Sequence, residues 1–317
     1  MAASFGTARK WSLGCSPVIQ RLTLSILLLT TLFLTLSSLA SREIVTSFTA
    51  GRKLSRTTPI PVYPFPEASH LIIVACHAIW HGYAGEHPGE SATEWNLKPF
   101  QQDQQITFIN HIQLGLNAAI VDEESLLVFS GGQTSRKSGP ISEAQSYYNL
   151  ANARKMIETD SNVSLRVTTE EFAKDSFENL LFSICRFHEF TGQYPDRITF
   201  VTHEFKRERI QGLHRAAIRF PLHKFRLIGR DAPGEDSPTG EEYLNALEPF
   251  TRDPYGCFDE TLVSKRKSRN PFLRHDSYFD SCPELRGLLA FCSQAGAFYL
   301  GDLPWDNHTA SQLPATA

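Results

Sequence analysis

Four stretches of the chain carry side chains whose types and spacing suit chemistry. His77, His81 and His87 stand with Glu86 and Glu90 in a segment that also holds Gly82, Gly85 and Pro88. Imidazoles at i, i+4, such as His77 and His81, hold a transition metal when their segment is helical. The glycines and the proline favour a loop here, so no metal is assigned, and His77 stands as a candidate acid or base. Ser130-Gly131-Gly132 leads through a Gly/Ser/Thr-rich loop to Ser142-Glu143-Ala144. Glycines at a strand end bring backbone amides close to a ligand, and a helix N-terminus facing them suits phosphate or carboxylate. Glu170 and Glu171 precede Asp175-Ser176-Phe177-Glu178-Asn179. Asp175 or Ser176 is a natural N-cap with Glu178 completing a capping box, while Glu178 and Asn179 on the first turn also suit a cleft. Lys206, Arg207 and Arg209 follow Thr202-His203-Glu204-Phe205. Cations at a helix start oppose its dipole, which either an anionic ligand or pairing with Glu204 and Glu208 would offset.

Elements must bring these stretches together, and the apolar pattern supplies them. Runs of strand length occur at His70–Cys76, Ser125–Phe129, Leu165–Thr168, Arg197–Thr202 and Phe225–Gly229. Between them Ile106, Ile109, Ile112 and Leu116 recur at helical spacing, as do Phe177, Leu180, Leu181, Ile184 and Phe187, and then Ile210, Leu213, Ala217 and Phe220. Short, near-continuous apolar strands alternating with helices predict an α/β fold: a doubly wound parallel sheet of about five strands, Rossmann-like, in residues 70–230. In such a sheet ligands bind outside the carboxyl ends of the strands, where all four stretches fall. None of them is a dinucleotide fingerprint or a P-loop. Residues 231–302 read as a C-terminal helical extension and 303–317 as a disordered tail.

Upstream, residues 22–40 form a 19-residue run without charge between basic flanks, with 1–21 before it and the Pro-containing linker 41–69 after it. About 20 apolar residues span a bilayer, so a single-pass transmembrane helix in the endomembrane system is expected. A cleaved signal peptide ending near Ala40 and a mitochondrial presequence are the alternatives. The flanking charges do not fix the side of the membrane on which the body lies.

The chain of 317 residues has 31 Lys and Arg against 34 Asp and Glu, but residues 1–60 carry a net +6 and the remainder a net −9. An acidic body excludes nucleic acid as the expected partner. Cys76, Cys185 and Cys292 sit in apolar runs and read as buried thiols, whereas Cys257 and Cys282 lie in loop-like sequence and are the candidate pair for a disulfide. Arg266, within Lys265-Arg266-Lys267, reads as exposed.

The ordered segments FSGGQTSRKSGPISEAQ, EEFAKDSFENL and TFVTHEFKRERIQ together resemble the family of unknown function represented by bacterial YdcF, SanA and ElyC. Its pattern has a strand ending SGG, an SEA at a helix start, a D/S-T-x-E-N helix start and a V-T-s-x-[FY]-H-x-x-R segment. These fall on Ser130, Gly131 and Gly132; on Ser142, Glu143 and Ala144; on Asp175, Ser176, Glu178 and Asn179; and on Val201, Thr202, Phe205 and Arg209. The chain departs from the pattern at Ser176, where the family has Thr, at Lys206, where it has His, and in the first strand's ending. The tail and the His-rich first loop look like the eukaryotic, chiefly fungal branch. The resemblance implies a Rossmann-like fold, frequent membrane anchoring and a nucleotide-like ligand such as S-adenosylmethionine, without a settled reaction.

The expected site therefore takes a small anionic ligand. Its binding residues are Ser130, Gly131, Gly132, Ser142, Glu143, Asn179, Thr202, Arg207 and Arg209, and its candidate catalytic groups are Glu143, Glu178 and His77. Gly131 and Gly132 are expected to offer backbone donors. The competing expectation is a non-catalytic, membrane-tethered interaction protein with a vestigial cleft.

Overall fold

A computed structural model describes residues 30–32, 34–35, 63–82, 85–157, 161–232, 240–293 and 296–306. The chain divides into a unit Met1–Pro61 and a unit Val62–Ala317. The expected anchor at 22–40 falls mostly outside the described residues, as do residues 1–21, most of the linker and residues 307–317 of the expected tail; disorder from 303 is corrected, because Leu303 and Trp305 are buried and Trp305 Nε1 donates to the Ile218 carbonyl at 2.9 Å. Among the described residues no helix is long and apolar enough to cross a membrane.

The expected α/β architecture is present. The apolar runs form β1 (His70–Ala75), β4 (Ser125–Ser130), β5 (Val167–Glu170), β6 (Arg197–Thr202) and β7 (Phe225–Gly229), which pair in parallel in the order β5-β4-β1-β6-β7. The order reverses between β1 and β6, creating the crevice at which doubly wound sheets bind ligands. β5 begins two residues later than its apolar run suggested. Leu165 is 67% exposed, and Arg166 is buried, its Nη1 donating to the carbonyls of Asp122 and Ser125 at 3.0 Å.

Both faces of the sheet are covered, which is why these strands read as continuous apolar runs rather than alternating ones. Ile72 and Val74 face one side with Leu127 and Phe129, packed by α1 (Gln105–Val121) and α2 (Glu143–Ala153). Leu71 and Ile73 face the other side with Leu126 and Val128. That side is packed by α3 (Ser176–Thr191), by a π-helical segment Glu208–His214, and by the C-terminal extension through Phe250, Tyr278 and Trp305. Gly115 lets α1 approach β1, because a Cβ there would collide with Val74 Cγ2.

A two-stranded antiparallel pair, β2 (Ile79–Trp80) with β3 (Trp95–Asn96), was not expected, since two-residue strands leave no periodic signal. The buried Glu94 carboxylate organises the loop between them. It accepts from Gly89 N at 2.6 Å, Trp80 Nε1 at 2.9 Å and Ser91 N at 3.1 Å. His81 and His87 are exposed on this loop. Because the chain leaves β1 in a loop and then pairs as strand, the i, i+4 arrangement of His77 and His81 does not form.

The extension is held to the domain by side chains reaching across, and it contains α4 (Glu260–Ser268), capped by Asp259. The expected pairing of the loop cysteines is corrected: Cys257 is bonded to Cys292, with their Cα atoms 5.9 Å apart, and Cys282 is a buried free thiol. Spacing alone could not choose the partner, because an apolar flank describes a buried thiol and a buried disulfide equally well.

Glu170, at the end of β5, is fully buried and accepts from Ser130 Oγ at 2.6 Å, Phe172 N at 2.7 Å and Tyr278 Oη at 3.2 Å. Burial pushes its carboxyl up from 4.5 to about 7, against those hydrogen bonds. The folded state therefore keeps a proton that the unfolded chain releases, so this group's contribution falls as pH rises from about 4.5 to 7, by about 3 kcal/mol. Glu170→Gln, which mimics the protonated form, is expected to be more stable than the parent at pH 8 and equal to it at pH 4. Urea unfolding at both values checks this, and a difference independent of pH would refute it.

Candidate functional site

A cavity of about 1090 Å³ opens at the carboxyl edge of the sheet, beside the β1/β6 switch point. Its volume suits a nucleotide-sized molecule, since ligand pockets run from roughly 300 to 1,000 Å³. The floor comes from Ala75-Cys76-His77 at the end of β1, Thr202-His203 at the end of β6, and the start of α3; Lys98 and Gln101 form one wall. Gln101 Nε2 donates to the His77 carbonyl at 2.7 Å, fixing that wall to the floor. The roof is α4 and the residue after it, through Thr261, Ser264, Lys265, Ser268 and Arg269.

The cavity wall is rich in cations. Lys98, Lys174, Lys206, Arg209, Lys265 and Arg269 line it, with Glu143, Asp175, Glu242 and Glu260 as the acids. Burial lowers the Lys265 amine from 10.5 to about 7, with Arg269 adding to the effect. Burial and the same arginine bring Lys98 to about 8. Lys206 falls to about 7 through burial and the nearby Arg209. Burial is the larger cause for each amine, and an anion bound among them would raise all three again.

The expected site residues divide into two groups. Glu143, Asn179, Thr202, Arg209 and His77 line the cavity. Thr134 Oγ1 donates to Glu143 Oε1, and burial raises this carboxyl above its ordinary range while Lys98 opposes the rise. Asn179 Nδ2 lies 3.4 Å from the Ser130 carbonyl, and Arg209 Nη2 is 2.9 Å from Glu242 Oε1.

The other group serves the fold. Gly131 N donates to the Glu170 carbonyl at 3.0 Å and Gly132 N to the Ala173 carbonyl at 2.8 Å. Their amides are thus already engaged, which corrects the expectation that they offer donors to an anion. What requires glycine is close packing: a Cβ on Gly131 would sit 2.9 Å from Glu143 Cβ, and one on Gly132 2.8 Å from the Ala173 carbonyl. Ser130 Oγ is committed to Glu170, and Ser142 caps α2 by accepting from Gln145 N at 2.9 Å. Arg207 is directed to the surface, paired with Glu204 and with Gln211 at 3.0 Å. Asp175 caps α3, accepting from Glu178 N at 2.9 Å, but the Glu178 carboxylate reaches Lys174 N at 2.7 Å instead of closing the box on Asp175. Glu178 also stands 3.4 Å from Arg266, so it is an ion-paired group beneath the roof.

Two arrangements were not legible in the sequence. Ser176, on the cavity wall, lies with Oγ 2.8 Å from Nε2 of the buried His214, a hydroxyl in contact with an imidazole that burial keeps neutral. Among the described residues His214 Nδ1 has no hydrogen-bond partner and no carboxylate orients this pair as in a catalytic triad. In addition, His77, His111 and His203 gather below the cavity, each offering a ring nitrogen within 4.8 Å of the others. The signal for His111 was its place on the buried face of α1, beside Phe108, Ile112 and Gly115. His203 sat inside a motif whose Lys and Arg residues drew the attention.

No family model and no solved structure matches the chain. Among curated proteins it is 31% identical to the uncharacterized protein YOR238W of Saccharomyces cerevisiae, over 67% of this chain and 87% of the yeast protein. At that identity and coverage, the chain belongs to the family of this yeast protein.

Proposed function

We propose that this is a membrane-anchored protein, YdcF-like in its motifs, whose α/β domain binds a small phosphate-bearing molecule of nucleotide size. The carrying observation is the set of Lys98, Lys206, Arg209, Lys265 and Arg269 around one cavity at the carboxyl edge of the sheet. A cationic wall favours phosphate over S-adenosylmethionine, whose sulfonium adds a positive charge. Ser176 against His214, and Glu143 with its raised carboxyl, are the groups through which the domain could act as an enzyme. The anchor is the uncharged run 22–40. The Cys257–Cys292 bridge favours a body on the oxidising, luminal side of the endomembrane system.

Sulfate is the test ligand, because its charge is constant across the pH range of interest. Binding an anion restores protons to Lys265 and Lys98, so affinity should fall as pH rises above about 7 to 8, by about tenfold per unit for each lysine that must be recharged. Calorimetric titration of the full chain between pH 6.5 and 9.5 is expected to show this slope, and Lys265→Met should flatten it and weaken binding at pH 7. Absence of sulfate binding at every pH, or an affinity indifferent to pH, would move the assignment to the interaction-protein reading.

A further inference from the structure

We propose that His77, His111 and His203 form a binding site for one divalent transition-metal ion, zinc by the preference of its ligands, with an open coordination position toward the cavity. The three imidazoles come from separate parts of the fold: the loop after β1, the inner face of α1 and the end of β6. Their ring nitrogens all lie within 4.8 Å of one another. Zinc–imidazole bonds are about 2.0–2.1 Å, so nitrogens sharing one tetrahedral ion stand about 3.4 Å apart. A pair at the 4.8 Å limit would close by up to about 1.4 Å to reach that spacing, a movement of the scale of ring rotations with small shifts of the loop after β1.

The surroundings match what a histidine metal site needs. His111 Nε2 is 2.8 Å from the Arg230 carbonyl, which fixes the proton on that nitrogen and leaves the lone pair on Nδ1. Nδ1 of His111 is buried and, among the described residues, has no hydrogen-bond partner, a cost that an ion would remove. The Asp231 carboxylate stands 3.5 Å from His203 Nδ1 and is fixed by accepting from Glu204 N at 2.7 Å, which places negative charge beside the cluster and leaves Nε2 as the nitrogen that would take the ion. His77 and His203 line the cavity whereas His111 lies behind them, so a fourth position faces the ligand space. Three protein ligands with one open position is the arrangement of catalytic zinc sites.

Lys206 opposes the ion, its Nζ lying 3.4 Å from His77 Nδ1, and Arg209 adds to the positive field. Removing the Lys206 charge should therefore tighten metal binding, whereas removing an imidazole should abolish it. A merely aromatic cluster would show neither response.

The experiment uses the full chain without a polyhistidine tag, stripped with chelator and titrated with Co²⁺ in sulfate-free buffer, with Zn²⁺ as competitor. One ion per chain is expected, with a visible d–d absorption that Zn²⁺ abolishes. His203→Gln and His111→Gln should weaken binding by ~100-fold or more, and Lys206→Met should strengthen it. A parent chain that acquires no such absorption, or histidine variants that bind as tightly as the parent, would overturn the site. Unchanged thermal unfolding of the stripped variants identifies those that fold. The parent spectrum and Lys206→Met decide the matter if the histidine variants do not fold. The inference does not rest on anion binding: sulfate titration in chelator tests that reading separately.

Discussion

Arg266→Ala is expected to destabilise the protein by about 3–5 kcal/mol at pH 7, the range for removing one partner of a buried ion pair. Arg266 Nε lies 2.6 Å from Asp175 Oδ2 and 3.4 Å from Glu178 Oε1, while Nη1 donates to the carbonyls of Tyr255 at 2.8 Å and Gly256 at 3.0 Å. The side chain expected to be exposed is thus the tie between the roof helix and the start of α3. Burial alone would raise Asp175, but the guanidinium overturns that and holds its carboxyl well below the usual carboxylate range. Glu178, where burial prevails over Arg266, is raised. Without Arg266 two buried carboxylates share only Lys174, 3.3 Å from Glu178 Oε2, and Asp175, left with no cation of its own, should then titrate above its unfolded value. The variant should accordingly regain stability as pH falls toward 4, whereas the parent's Asp175 contribution is lost only at strongly acid pH. Urea unfolding at pH 4.5 and pH 7 reads both effects. A loss below 1 kcal/mol at pH 7, or one that does not shrink in acid, would mean that the pair is solvated.

Removing the Cys257–Cys292 bridge, by reduction or by Cys257→Ser with Cys292→Ser, is the second large effect. The bonded residues are 35 apart in sequence. Closing a loop of that length in the unfolded chain corresponds to about 4 kcal/mol at 25 °C. Parent and double-serine chains should differ by that amount in urea under oxidising conditions and coincide under reductant. Non-reducing peptide mapping should recover Cys257 joined to Cys292, with Cys282 alkylated only after unfolding, since it is fully buried. A Cys257–Cys282 peptide, or equal stabilities, would contradict the assignment.

The sheet was legible because it is covered on both faces: β1 and β4 bury every residue, β5 and β6 nearly all of theirs, and helices with a 3.6-residue period separate the strands. The site was legible only as far as it lies at strand ends. Glu143, Asn179, Thr202, Arg209 and His77 follow from that rule. Gly131 and Gly132 satisfy it too, but their amides are spent on Glu170 and Ala173, a long-range fact that no local pattern carries. The run Lys265-Arg266-Lys267 has the composition of a solvated face. In the structure Lys265 lines the cavity, Arg266 reaches Asp175 and Lys267 is exposed, because the helix is packed on one side. His111 belongs to α1 by periodicity, but nothing in the periodicity shows that two other imidazoles come to meet it.

The cavity has two parents, a floor made by the sheet and a roof made by a helix beyond it in the chain. These can diverge at different rates, since a change in Lys265 or Arg269 leaves the strand ends as they are. A descendant keeping the floor and rewriting the roof would retain the architecture while changing its guest. Inheritance of a ligand among relatives is therefore to be judged by comparing Ser264, Lys265, Ser268 and Arg269, and shared topology alone does not carry it.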